Sequence, residues 1–479
     1  MSHFKPKVPL QPDSFSILLP GITPEAAQLS EKLLMRNNKE FHIFFNDKKF
    51  HNHLIHHLLA AYSLGATKET LQKIFDTHAK DQRPLPPSVG EITHHNYKNY
   101  LGKAECYTSF FNLFMSEIEA HGSLETVRRW VMSGDMLSRT VGGAYHPFIH
   151  IGYGLEFDVP AVLAEGLAMA ACTEANFKSL IPQQPEPSAT LIPVVAETAV
   201  SSARGFMSHI VDQLSNQFSS RLGFVESKNI SMMMDDTLKE SIPGFLKDND
   251  LFIIFSKIHK DPGFDDILTS QDESQIKKLQ ANKDAMDRIK AHLDEWHVDE
   301  GHVQTKLKEL YAVAVLALGA TGIRQDHPDV LRLDFFLMHA LTSSEFLHQF
   351  VYRLAPYESV ALLRAHAAVT MFYYVTRGRP AFNIQGLLDY RSTVKANNNN
   401  NNDWLNVFDR ALGCMEPHVI KVVRACAVAQ IIYGPQQDPN LNTAWLHVAQ
   451  MAVDKDGHWD FNCLGFDDTW TDTKKKRNV

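Results

Sequence analysis

The stretch Ser359-Val360-Ala361-Leu362-Leu363-Arg364-Ala365-His366-Ala367-Ala368-Val369-Thr370-Met371-Phe372-Tyr373-Tyr374-Val375-Thr376-Arg377 decides the fold class. Its apolar residues recur at three- and four-residue spacing over more than twelve positions, which is the period of a helix and not of a strand. Ser201–Phe224, Gln275–Asp294 and Thr305–Gly319 repeat the pattern, and convincing strands are scarce. The chain therefore reads as all-α, a large multi-helical single body. Its longest apolar run, Leu310 to Ala320, is about half of what a membrane span needs.

Outward from that stretch, a proline-rich linker at 181–198 separates an N-terminal helical half, 1–180, from a C-terminal half, 199–479. The latter holds a polar helical excursion at 226–304 and an Asn-rich loop at 395–403, where Asn397 to Asn402 are consecutive asparagines. Among 479 residues, 47 basic side chains against 55 acidic ones give a net charge of −8, so no global field favours nucleic acid or an anionic membrane. The five cysteines contain no Cys-x-x-Cys pair and suggest neither a disulfide framework nor a thiolate zinc site. Met1 to Gly21 lacks the unbroken apolar core of a signal peptide, so a cytoplasmic protein is expected. No Gly-x-Gly-x-x-Gly, Walker loop, Gly-x-Ser-x-Gly elbow or His-Glu-x-x-His occurs, which weighs against a Rossmann-type flavin enzyme and the familiar hydrolase motifs.

The count that needs explaining is 24 histidines, several within a helical turn of one another. In His51-Asn52-His53-Leu54-Ile55-His56-His57-Leu58-Leu59, His53 and His57 fall one turn apart, the spacing with which a helix offers two nitrogens to one metal. In Gly142-Gly143-Ala144-Tyr145-His146-Pro147-Phe148-Ile149-His150, Pro147 disfavours the α region for His146 and suits a first helical position, so His146 is expected to cap a helix with His150 one turn in. The Gly-Gly pair lets backbone approach closely, and Tyr153 shares the His150 face. His339 and His366 sit singly in apolar helical segments. Each cluster taken alone has a bland alternative, that of hydrogen-bonded core histidines. Together they suggest a central histidine-lined site, and a non-haem iron site wants such a set of neutral imidazoles plus open positions.

The strings around His51 to Leu59, His146-Pro147-Phe148-Ile149-His150-Ile151-Gly152-Tyr153-Gly154-Leu155-Glu156-Phe157, Phe336-Leu337-Met338-His339-Ala340-Leu341-Thr342-Ser343-Ser344 and Arg377-Gly378-Arg379-Pro380 resemble the questin oxidase-like family in order and spacing. The resemblance covers roughly His51 to Pro380. It implies a mainly fungal oxidoreductase of secondary metabolism, a Baeyer-Villiger-type monooxygenase or ring-cleaving dioxygenase that opens the quinone ring of an anthraquinone polyketide, with NADPH sometimes invoked as reductant.

The leading expectation is thus an oxygenase using Fe(II), with dioxygen and a small aromatic substrate as partners. Its metal ligands are drawn from His53, His57, His146, His150, His339 and His366, while Tyr153 and Glu156 orient ligands or shuttle protons. Asp334 and Glu345 are the only carboxylates spaced to join His339 or His366, and Phe335, Phe336, Phe372, Tyr373 and Tyr374 are candidates for a flat apolar pocket. Two alternatives stand beside it: a zinc hydrolase using the same imidazoles, and a non-catalytic helical binding protein with structural histidines.

Overall fold

In the computed structural model, which describes residues 2–7, 16–185, 242–392, 402–434 and 437–471, the Ser359–Arg377 stretch forms most of one helix, Pro356–Thr376. Pro356 occupies its first turn, where a missing N–H costs nothing, and the Glu358 carboxylate accepts from the Ala355 N–H at 2.7 Å. The described residues hold nineteen α-helices and one short hairpin, so the all-α reading holds. The helices are α1 Pro24–Glu40, α2 Leu54–Ser63, α3 Lys68–His78, α4 Tyr107–His121, α5 Ser123–Val131, α6 Met136–Thr140, α7 His146–Glu156 and α8 Pro160–Cys172. Then follow α9 Asp250–Lys260, α10 Gln275–Ala281, α11 Lys283–Glu295, α12 Val303–Gly319, α13 Phe335–Val351, α14 Pro356–Thr376, α15 Ile384–Leu388, α16 Asp403–Gly413, α17 Pro417–Tyr433, α18 Pro439–Asp454 and α19 Asp468–Thr471. The hairpin strands are β1 Ile323–Arg324 and β2 His327–Leu331, paired antiparallel between α12 and α13.

Two compact units divide the chain: residues 1–185 with 248–479, and residues 186–247. Helices of both sequence halves build the first unit. Of the second only 242–247 are described, with one 3-10 turn at Gly244–Leu246. The expected helix Ser201–Phe224 and nearly all of the 181–198 linker and the 395–403 loop lie outside the described residues. Where a single helix was expected over Gln275–Asp294, there are two. Asn282 breaks them, because its side chain accepts from the Ala285 N–H at 3.0 Å and makes a new N-cap. The described part of the 226–304 excursion is less of an appendage than its polarity suggests, since α9 buries Leu251, Phe252, Ile254 and Phe255 and packs on α12, while α11 packs on α14.

The core centres on helices that are buried all round, the sign of a helix without a solvent face. Every residue of α2 and α7 is buried, as is α8 from Ala161 on. α7 and α8 lie so close that a Cβ added at Gly154 would come within 2.6 Å of the Leu163 backbone nitrogen. Four helices then pack in a closed cycle, α2 on α7, α7 on α13, α13 on α17 and α17 on α2. The candidate functional residues sit where the beginnings of these four helices meet. No helix among the described residues is long and apolar enough to cross a membrane.

Candidate metal centre

Each helix of the cycle contributes one imidazole. His53 is the N-cap of α2, His146 the first residue of α7, His339 lies in the second turn of α13, and His418 is the second residue of α17. One ring nitrogen from each of the four lies within 4.8 Å of all the others. His146 Nε2 is 2.8 Å from His53 Nε2 and 3.2 Å from His339 Nε2. Metal–nitrogen bonds of about 2.1 Å would set neighbouring ligand nitrogens about 3 Å apart.

The backbone behind each ring explains its orientation. His146 Nδ1 donates to Gly143 O at 2.6 Å, and His339 Nδ1 donates to Phe335 O at 2.7 Å. A neutral imidazole with its hydrogen on Nδ1 has a bare lone pair on Nε2. His146 and His339 therefore face each other with two acceptors and no hydrogen between them, a repulsive contact unless a cation occupies the centre. His418 Nδ1 is turned to the Glu416 carboxylate, and its Nε2 is buried without a hydrogen-bond partner. Carbonyl or carboxylate behind Nδ1 and a free Nε2 in front is the arrangement that orients histidine ligands of metals. The donor set thus fits a divalent transition metal.

Electrostatics agree with neutral ligands. Burial holds His53, His146 and His339 well below the ordinary imidazole pKa, and neighbouring imidazoles and Lys421 push the same way. Burial lowers His418 too, with Lys421 adding to it and Glu416 opposing. Burial alone would raise Glu416, but the adjoining His418 outweighs it and brings the carboxyl down to about 2. Lys421, one turn beyond His418, is buried without a hydrogen-bond partner, and burial brings its ammonium down to about 7 against the pull of Glu416 and Glu345.

A left-handed turn aims His146. Gly143, Ala144 and Tyr145 have φ of 53°, 51° and 62°, and a Cβ at Gly143 would come within 3.1 Å of the His51 ring, which stacks on His146 at 4.0 Å. Two non-glycine residues in that region store strain, of order 1–3 kcal/mol each. Contacts from α14 hold them: Tyr373 Oη accepts from the Ala144 N–H at 3.2 Å, and Tyr145 Oη meets Thr370 Oγ1 at 2.8 Å. His146 is consequently already helical, φ −58° and ψ −42°, rather than the cap expected before Pro147, because Tyr145 takes the cap position. His339 is placed by an ion pair that absorbs the Arg-Gly-Arg-Pro segment. Arg377 is buried against Asp334, which caps α13 by accepting from the Phe336 and Leu337 N–H groups.

Of the six histidines expected as ligands, the structure brings His53, His146 and His339 together. It turns the other three elsewhere. His57 Nδ1 meets His78 Nε2 of α3 at 2.9 Å, since His53 is a cap residue and the two rings do not stack as in a regular turn. His150 lies between Glu165 Oε2 at 3.0 Å and His56 Nε2 at 3.1 Å. His366 bonds Ser343 Oγ at 2.7 Å and stacks on Tyr145 at 4.6 Å, so it backs the left-handed turn. Glu156, at the opposite end of α7 from His146, lies about 15 Å along the axis at 1.5 Å per residue and pairs with Arg424 and Ser16. Tyr153 stacks on His56 at 5.3 Å, and its hydroxyl has no hydrogen-bond partner. Asp334 and Glu345 are engaged by Arg377 and Arg424.

His418 is the member of the cluster that spacing arguments miss, because no second histidine lies within a turn of it. A signal was present: His418, Lys421 and Arg424 recur every three residues in a helix otherwise apolar over Val419–Val428. Among the aromatic candidates, Phe335 and Phe336 are half-buried, Phe335 meets His339 edge-on at 4.5 Å, and Phe336 stacks on Tyr373 at 5.1 Å. Phe372 packs on Phe177, and Tyr374 packs on Phe255 and donates to Pro380 O, so both belong to the core.

Comparison with known proteins identifies the family. Residues 50–426 match the family described as questin oxidase-like, a span that contains all four converging histidines. A questin oxidase of Aspergillus terreus is 25% identical over 96% of this chain and 96% of its own. A Baeyer-Villiger oxidase of Pestalotiopsis fici is 23% identical over 89% of this chain and 87% of its own, and a questin oxidase of Aspergillus fumigatus 24% identical over 90% and 88%.

Proposed function

The chain belongs to the questin oxidase-like family, and we propose that it is an oxygenase that opens or oxygenates a ring of an anthraquinone-like polyketide at a non-haem iron held by His53, His146, His339 and His418. Relatives named questin oxidase and Baeyer-Villiger oxidase, matched over most of their length, support an oxidoreductase acting on such a substrate. The observation that carries the metal assignment is the pair of bare Nε2 atoms of His146 and His339, 3.2 Å apart in a buried site, and the relatives' names as oxidases support iron over zinc. Iron(II) bound there would supply a place for dioxygen beside an electron-rich ring.

The chain's own residues do the remainder. Gly143 O, Phe335 O and Glu416 keep the rings turned inward. Burial keeps them unprotonated, and so available as ligands, at pH values where a free imidazole carries its proton. His53 is the half-buried member of the four, and the half-buried Phe335 and Phe336 beside His339, their rings perpendicular to each other, offer apolar edges and faces to a polycyclic ring. Seating the substrate there would exclude water from that side of the centre.

Elemental analysis of untagged protein tests the metal, with about one iron per chain expected; zinc in its place would favour hydrolysis. Oxygen uptake with questin or emodin tests the reaction, and label from the gas must enter the product. Inserting one oxygen atom leaves the second to be reduced to water by two electrons, so uptake that requires NADPH marks monooxygenation. Uptake without NADPH marks ring cleavage by both atoms. Label arriving only from water would overturn the reading.

A further inference from the structure

A second chain of imidazoles runs behind the metal centre and ends beside it. Asn38 Nδ2 donates to Glu165 Oε1 at 2.7 Å, Glu165 Oε2 lies 3.0 Å from His150 Nε2, and His150 Nδ1 lies 3.1 Å from His56 Nε2. Glu165, His150 and His56 are all buried. His56 Nδ1, the free end, is buried and has no hydrogen-bond partner. Its ring is 5.8 Å from that of His53 and 6.3 Å from that of His146, and it stacks on Tyr153.

Direction in this chain is set from one end. When Glu165 acts as an acceptor at both oxygens, His150 Nε2 carries the hydrogen. A neutral His150 then shows a bare Nδ1 to His56, which must answer with its Nε2–H. That leaves the lone pair of His56 on Nδ1. A buried polar atom without a partner costs about 1–3 kcal/mol, and groups of this kind in native proteins call for an explanation. Resting on the aromatic-polyketide reading above, we propose that His56 Nδ1 is the hydrogen-bond acceptor for a hydroxyl group of the bound substrate, and that His150 and Glu165 are positioning residues that keep its hydrogen on the far nitrogen. A hydroxyl-bearing ring is then favoured over its methyl ether, because the ether leaves this nitrogen unsatisfied.

Two measurements test it. In full-length protein loaded with zinc as a diamagnetic probe, nitrogen-15 shifts of labelled histidines should show a bare Nδ1 and a protonated Nε2 on His56. Glu165→Gln should reverse them, since the Asn38 amide already donates to Oε1 and the new amide nitrogen would face His150. A wild-type His56 carrying hydrogen on Nδ1 overturns the proposal. The second measurement is the affinity for emodin, a hydroxyanthraquinone, and for its fully O-methylated derivative. Wild type should prefer emodin by about tenfold, the scale of one hydrogen bond. His56→Leu should abolish that preference while leaving the affinity for the ether unchanged, and Glu165→Gln should weaken the preference with the fold intact. A preference that survives both variants, or binding of both ligands without preference, overturns the His56 assignment alone. Binding of neither overturns the polyketide reading and the substrate contact together.

Discussion

α7 and α17 each run through two buried polar clusters that differ in how they are neutralised. At one end His146 and His418 belong to a group in which the Nε2 lone pairs of His146, His339 and His418 converge beside His53. At the other, Glu156 of α7 and Glu345 of α13 flank the Arg424 guanidinium of α17, so the cation is built into the chain. Burial pushes the Glu345 carboxyl up to about 8 in spite of Arg424, a measure of how dry that end is. The Arg424 cluster carries its own counter-charge and ties α7, α13 and α17 together, although Glu156 Oε2, both Glu345 oxygens and two Arg424 nitrogens lack hydrogen-bond partners. The histidine cluster has the donor set to take an added cation, and on the proposed function that difference separates a structural polar cluster from a site.

Acid should break the comparison most strongly. Burial holds His57, His348 and His366 at about 3, below the free imidazole value near 6.5. Their folded pKa values are depressed, so the unfolded chain binds more protons between the two values. The stability they supply is complete above about pH 6.5 and is lost as pH falls toward 3, by about 1.4 kcal/mol per histidine and pH unit. Thermal unfolding followed over that range should show a steep loss, and a flat profile would contradict the burial described.

Next in size is Arg424→Leu, which leaves Glu156 and Glu345 buried without their cation and should cost about 3–5 kcal/mol. Urea unfolding measures it, and metal content per folded chain should stay near normal. Third, His339→Ala or His418→Ala should lower metal affinity by more than about a hundredfold with little change in unfolding of the metal-free protein, read by competition with a chelator. The smallest effect sharpens the comparison: Glu416→Gln removes the charge behind His418 Nδ1 and should weaken metal affinity by about tenfold. Should Arg424→Leu empty the metal site as thoroughly as His339→Ala, the two clusters would be one.

Much of this was legible in the sequence for definite reasons. Helical period alone carries the fold class, and apolar surroundings mark His339 as buried. The one-turn pairing of His53 with His57 and of His146 with His150 locates two segments that converge, while His57 and His150 themselves turn away from the cluster. Spacing within a helix says which residues share a face, whereas the neighbours across that face come from α3 and α8, through His78 and Glu165. His418 announces itself only as part of a three-residue polar stripe. The left-handed turn at Ala144 and Tyr145 has no local signal, since the contacts that stabilise it arrive from Thr370 and Tyr373, more than two hundred residues away.

The meeting of four helix beginnings also has a bearing on how the chain folds and lasts. His53 and His146 are 93 residues apart, and His146 and His339 a further 193. No fragment short of most of the chain brings His53, His146, His339 and His418 together, so a metal held by all four would bind only after long-range topology is complete. An ion that binds the folded chain and not the unfolded one adds stability by mass action, about 4 kcal/mol at a thousandfold excess over its dissociation constant. The ion then acts as a reversible crosslink among distant segments. Metal supply would set the lifetime of the protein against proteolysis as well as its activity, and a starved chain would be lost sooner than a loaded one.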